Sequence, residues 1–115
     1  FTPMKYTIII FTILSILILF ACKKAQPTIT IAPDSFLVDV RTAEEFKQGS
    51  VPNAVNIPLD QVESRLVEFH GKDNIVVFCR SGNRSGHAKN ILDAKGYKNV
   101  QNGGSWGNVK KILEK

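Results

Sequence analysis

The spacing of apolar positions changes repeatedly along this chain, and each change predicts a different element. Residues 28–31 and the leucine- and valine-rich run 36–40 read as short strands, the second one buried. Thr42 followed by Glu45 is a capping box, so a short helix begins there and stops at Gly49. Residues 54–57, bounded by Pro52 and Pro58, predict a brief strand. From 59 to 69 the period lengthens: Leu59, Val62, Leu66 and Phe69 share one helical face that ends before Gly71. The unbroken apolar run 75–79 is the expected central strand. Residues 85–95 predict a helix with Ala88, Ile91 and Leu92 inward and Gly96 as its stop. A last strand at 97–101 and a helix at 106–113 complete the pattern. Strands alternating with helices predict an α/β domain with a mostly parallel central sheet flanked by helices, and ligands of such sheets bind beyond the carboxyl ends of the strands.

The first 22 residues obey a different pattern. Met4 and Lys5 precede an apolar run over 8–20 that is interrupted only by Thr12 and Ser15 and ends in Ala21-Cys22. That is the pattern of a secretory signal. Leu19-Phe20-Ala21-Cys22 also resembles the lipobox of bacterial lipoproteins, with Cys22 as the lipid attachment site; the alternative is an uncleaved membrane anchor. The expected organisation is a signal peptide over 1–22, a short tether over 23–27 and one domain over 28–115. The expected location is outside the cytoplasm, as a periplasmic or cell-envelope lipoprotein held at a membrane.

Composition adds limits rather than content. At 115 residues and 43% hydrophobic the chain suits one globular domain. Its net charge of +5 is spread out, with no basic run longer than two and no aromatic-rich motif beside one, so no nucleic-acid partner is expected. The surplus favours anionic substrates or a membrane surface. No metal site is expected either, because one cysteine with His70 and His87 has no ligand-like spacing.

The chemistry concentrates in Cys79-Arg80-Ser81-Gly82-Asn83-Arg84-Ser85, a loop between the central strand and the following helix. A thiol reacts as its thiolate, and helix N-terminal amides together with guanidinium groups favour that anion. Ser81 and Gly82 are small enough for the backbone to curl around one atom, and Ser85 is expected to cap the helix. The competing reading is an inert core cysteine that ends a buried strand. If Cys22 carries lipid, Cys79 is the only free thiol of the mature chain, and no internal disulfide can form. Arg41 is expected to be a structural ion-pair partner near Asp39, and Trp106 a core or pocket-wall residue.

Three ordered motifs carry a family resemblance: Phe36-Leu37-Val38-Asp39-Val40-Arg41 with Glu44-Glu45-Phe46 and Asn53-Ala54-Val55-Asn56-Ile57-Pro58; the loop from Cys79 to Ser85; and Gly103-Gly104-Ser105-Trp106. From about residue 28 onward the chain resembles rhodanese-like domains, departing at Ser50, where many members have histidine. The resemblance implies a sulfurtransferase that takes sulfane sulfur from thiosulfate or a similar anionic donor as a persulfide on Cys79, with no other cofactor. It then passes the sulfur to cyanide or a thiol. Cys79 is the implied nucleophile, and Arg80, Ser81, Gly82, Asn83, Arg84 and Ser85 the implied substrate cradle, in a domain expected to be monomeric. A membrane-tethered sulfur carrier or binding module without turnover is the alternative. Phosphatase chemistry ranks lower, because related phosphatases place five residues between cysteine and arginine and this loop has four.

Overall fold

The computed structural model describes residues 25–115. The expected signal segment and Cys22 lie outside the described residues. In chain order the elements are β1 (Phe36–Asp39), α1 (Ala43–Gln48), β2 (Val55–Asn56), two 3-10 segments (Leu59–Gln61 and Glu63–Phe69), β3 (Ile75–Cys79), α2 (Asn83–Ala94), β4 (Val100–Ser105) and α3 (Trp106–Leu113). The four strands pair in the order β2-β1-β3-β4, and every pairing is parallel. This is the α/β architecture that the alternating pattern predicts.

Both faces of the sheet are covered, which is why β3 reads as a continuous apolar run rather than an alternation. Ile75, Val77 and Cys79 join Val38, Val40, Ile57, Val62, Phe69, Ala88 and Leu92 on one side. Val76 and Phe78 join Leu37, Val51 and Val109 on the other. Period-two alternation thus sorts the strand into two cores. Phe69 is fully buried, edge-on to Phe36 and Tyr97 at ring separations of 5.6 and 6.1 Å.

Four local expectations differ from the structure. Residues 28–31 form no strand; Ile29 and Ile31 pack onto the second core instead, and side-chain amides hold the backbone, Gln101 Nε2 donating to the Thr30 carbonyl and Asn108 Nδ2 to that of Pro27. The two isoleucines pack, half-buried, onto a sheet face, and the Thr30 carbonyl takes the Gln101 side chain of β4 in place of a ladder partner. The helix expected over 59–69 is instead the two 3-10 segments, kinked at Arg65 (φ −118°), because the Tyr97 hydroxyl takes the Leu66 carbonyl and His70 N–H turns back to Val67. The last strand lies at Val100–Ser105 rather than 97–101, since Tyr97 N–H is spent on the Leu92 carbonyl and Asn99 adopts φ 61°. Gly103 then belongs to the strand: a Cβ there would lie 2.5 Å from Val109 Cγ2, so only glycine allows α3 this close. Finally, α2 starts at Asn83, two residues before the expected Ser85, with Gly82 at φ 98° as its cap.

Candidate active site

β3 delivers Cys79 to the carboxyl edge of the sheet, and the chain turns at once into α2. The left-handed Gly82 makes that turn possible and folds the loop back, so that Gly82 N–H donates to Cys79 Sγ at 3.0 Å. A Cβ on Gly82 would sit 3.3 Å from Gly104 Cα, which shows how closely the loop is pressed onto β4. There Val77 pairs with Asn102 but Cys79 with Ser105, so β4 carries one extra residue, a bulge beside Gly103-Gly104.

Cys79 is 1% exposed, and its strand neighbours are apolar. Its sulfur meets polar groups: the Ser85 hydroxyl at 3.4 Å, and the amides of Ser81, Gly82 and Ser85. Burial pushes the thiol pKa up, but the Ser85 hydroxyl and these three amides outweigh it, and the net shift is below the ordinary value. Ser85 is therefore no helix cap. It lies buried in the first turn of α2, where its hydroxyl donates to Asn102 Oδ1 at 2.7 Å.

The two loop arginines separate. Arg80 is exposed and, with Arg41, Glu45, Gln48, Gly49 and Trp106, lines a cavity of about 290 Å³ beside the loop. Arg84 reaches across to α1, donating to Glu45 through Nη1 at 2.6 Å and Nη2 at 3.1 Å. That contact holds the Glu45 carboxyl down at about 2, and Glu45 in turn raises Arg84. The predicted capping box is present too, Thr42 Oγ1 accepting from Glu45 N–H and Glu45 Oε1 from Thr42 N–H. One carboxylate thus ends a helix and anchors the cysteine loop. Asn83 is exposed at the start of α2, away from the sulfur contacts, and His87 is exposed on the same helix.

Under the cavity floor, Arg41 is buried with Asp39, its Nη2 2.7 Å from Oδ2, and the same Nη2 donates to the Gly49 carbonyl at 2.6 Å. Ser50, the departure from the family pattern, donates to Asp39 Oδ2 at 2.6 Å. Trp106 stacks on Arg41 with the guanidinium carbon 5.1 Å from the ring centre. Arg41 is a structural partner and Trp106 a wall. A larger cavity of about 390 Å³ lies at the opposite, amino ends of the strands between Leu37, Pro52 and Leu113, far from this chemistry.

Sequence reasoning missed Asn102 and Gln26. Asn102 is the residue just before the double glycine, and it bridges the loop and β4. Gln26 Oε1 accepts from Ser105 N–H at 2.9 Å, so the segment read as a tether is docked at the site's rim. Neither residue announces its role locally: Ser85 and Gly82 lie 17 and 20 positions from Asn102, and Ser105 lies 79 positions from Gln26.

The comparisons agree with this geometry. Residues 23–106 match the family model described as a rhodanese-like domain. The thiosulfate sulfurtransferase PspE of Escherichia coli K12 is 41% identical over 69 residues, covering 58% of this chain and 66% of that protein. A sulfurtransferase of Allochromatium vinosum is 39% identical over 69 residues, covering 60% and 64%. The chain thus spans just under two thirds of the length of these relatives. The solved structure titled rhodanese with anions from E. coli superposes with a TM-score of 0.59 at 37% identity, over 64% of this chain and 89% of that one. The match across most of the chain, on a parallel sheet with a cysteine loop at its carboxyl edge, makes this protein a member of the rhodanese-like domain family.

Proposed function

We propose that the protein is a sulfurtransferase that moves sulfane sulfur from thiosulfate, or a similar small anionic donor, to cyanide or a thiol through a persulfide on Cys79. The observation that carries this reading is the convergence of the Ser81, Gly82 and Ser85 amides on one buried sulfur, with Arg80 exposed at the cavity beside the loop. The Cys79 thiolate attacks the outer sulfur of thiosulfate. A new S–S bond forms, the old one breaks, and sulfite leaves with the electron pair. The terminal persulfide sulfur keeps the single negative charge, which amide hydrogens suited to the thiolate also suit. Cyanide then takes that sulfur and leaves as thiocyanate, regenerating the thiolate. The net charge is conserved in each half-reaction, and no outside oxidant, metal or cofactor takes part. Arg80 supplies the positive charge that draws a dianion to the cavity. A short four-residue interval between Cys79 and Arg84 supports sulfur rather than a phosphoryl group as cargo.

The exported, membrane-held location belongs to the same proposal, supported by the apolar run 8–20 and the lipobox-like end at Cys22. The deciding experiment is thiocyanate formation from thiosulfate and cyanide by the purified chain, against Cys79→Ser. Turnover by the parent and none by the variant is expected, together with a gain of about 32 Da, one sulfur atom, on Cys79 after exposure to thiosulfate alone. Equal rates from both proteins would refute Cys79 as the sulfur carrier.

A further inference from the structure

The hydrogen-bond polarity around Asn102 is fixed from outside. Gly104 N–H donates to Asn102 Oδ1 at 2.9 Å, and Asn102 Nδ2 donates to the Gly82 carbonyl at 3.0 Å. One partner is a donor only and the other an acceptor only, so the amide has a single satisfactory orientation. Oδ1 therefore faces Ser85, and the Ser85 hydroxyl, 2.7 Å away, has to donate to it. A hydroxyl has one hydrogen. With that hydrogen committed to Asn102, Ser85 Oγ turns lone pairs toward Cys79 Sγ at 3.4 Å, an arrangement that accepts the S–H of a thiol and repels a thiolate.

We propose that Asn102 is a positioning residue that competes with Cys79 for the Ser85 hydrogen and thereby sets the fraction of Cys79 present as thiolate. To support the anion, the Ser85 hydrogen swings from Oδ1 to Sγ, and the bond to Asn102 is lost. The amides of Ser81, Gly82 and Ser85 favour the thiolate without this penalty, so Asn102 is a brake on a site that is otherwise built for the anion. The other charges near the sulfur are already matched: Arg84 on α2 by Glu45 on α1, and Asp39 at the end of β1 by Arg41. Arg80 is exposed in the loop, and β4 brings Asn102, Gly103, Gly104 and Ser105, none of them charged. This inference deepens the proposed use of Cys79 but concerns the thiol itself, so its test needs no sulfur transfer.

The experiment is a pH titration of thiolate ultraviolet absorbance on the full chain, with the Cys79→Ser spectrum subtracted, for the parent, Asn102→Ala, Ser85→Ala and the double variant. Asn102→Ala should lower the Cys79 midpoint by about 0.7 unit, roughly a fivefold gain in thiolate-to-thiol ratio, as expected for the release of one ordinary hydrogen bond. In the Ser85→Ala background the same substitution should leave the midpoint unmoved. A shift of the same size in both backgrounds, or an upward shift in the first, overturns the proposal, because a general loosening of the loop would not pass through Ser85. If Asn102→Ala does not fold, the parent alone decides by carbon-13 NMR. The Asn102 side-chain carbonyl should then titrate with the Cys79 midpoint, and a flat resonance overturns the proposal. Failure of thiosulfate turnover alongside these shifts would count against the sulfurtransferase reading alone.

Discussion

Glu45→Gln isolates the charge that ties α1 to the cysteine loop. Glutamine still serves the capping box, so the helix start survives, while the ion pair with Arg84 becomes a neutral hydrogen bond. The carboxyl is held at about 2 against an ordinary 4.5. A depression of that size would correspond to about 3 kcal/mol before any allowance for solvent screening. Here the Glu45 and Arg84 side chains are 28% and 34% exposed, and screening leaves roughly 1–2 kcal/mol. Because the folded-state value is the lower one, this contribution is complete above the unfolded pKa near 4.5 and disappears as pH falls through about 2. Urea unfolding of parent and variant from pH 7 down to pH 2 measures it directly, since other titrating groups cancel in the difference. The stability gap should be about 1–2 kcal/mol at pH 6, narrow below 4.5 and close near pH 2. A gap that stays constant over this range would refute the assignment of the pair as the source of the depressed carboxyl.

Two further outcomes follow from the geometry. Arg80→Ala removes an exposed cation from the cavity beside the cysteine loop without touching the amide ring, so KM for thiosulfate should rise about 10-fold with kcat nearly unchanged in steady-state assays; an equal loss in kcat would mean that Arg80 acts on the bond-making step. Gly103→Ala forces a Cβ to within 2.5 Å of Val109 and 3.1 Å of Val76, both fully buried, so thermal unfolding should show a loss of about 1–3 kcal/mol from overpacking, and an unchanged Tm would contradict the close approach of α3.

Elements whose signals are local can be read directly from the residue order. Period-two and helical spacing, together with the Thr42–Glu45 capping box, place β1, α1, β3 and α3 within a residue or two, and a cysteine directly after a buried run forecasts a nucleophile at a strand's carboxyl end. Where a distant group takes a backbone partner, local pattern fails: the Tyr97 hydroxyl on Leu66 breaks a regular helix into 3-10 segments, and the docking of Ile29 and Ile31 turns an expected strand into a strap.

The site divides in the same way. The loop residues were legible because the amides that approach the sulfur lie within six positions of it. The roles of the two arginines were not, since Arg84 meets a carboxylate 39 residues away while Arg80 stands exposed at the cavity beside the loop. Nor was the Asn102 bridge to Ser85 and Gly82, which exists only because a parallel sheet sets β4 beside β3 and a bulge at the double glycine brings the two backbones together. Short-range periodicity and turn chemistry write themselves into a sequence; contacts made by closing the chain over 17 to 39 residues do not, and it is those contacts that decide what Arg84 pairs with and which acceptor takes the Ser85 hydrogen.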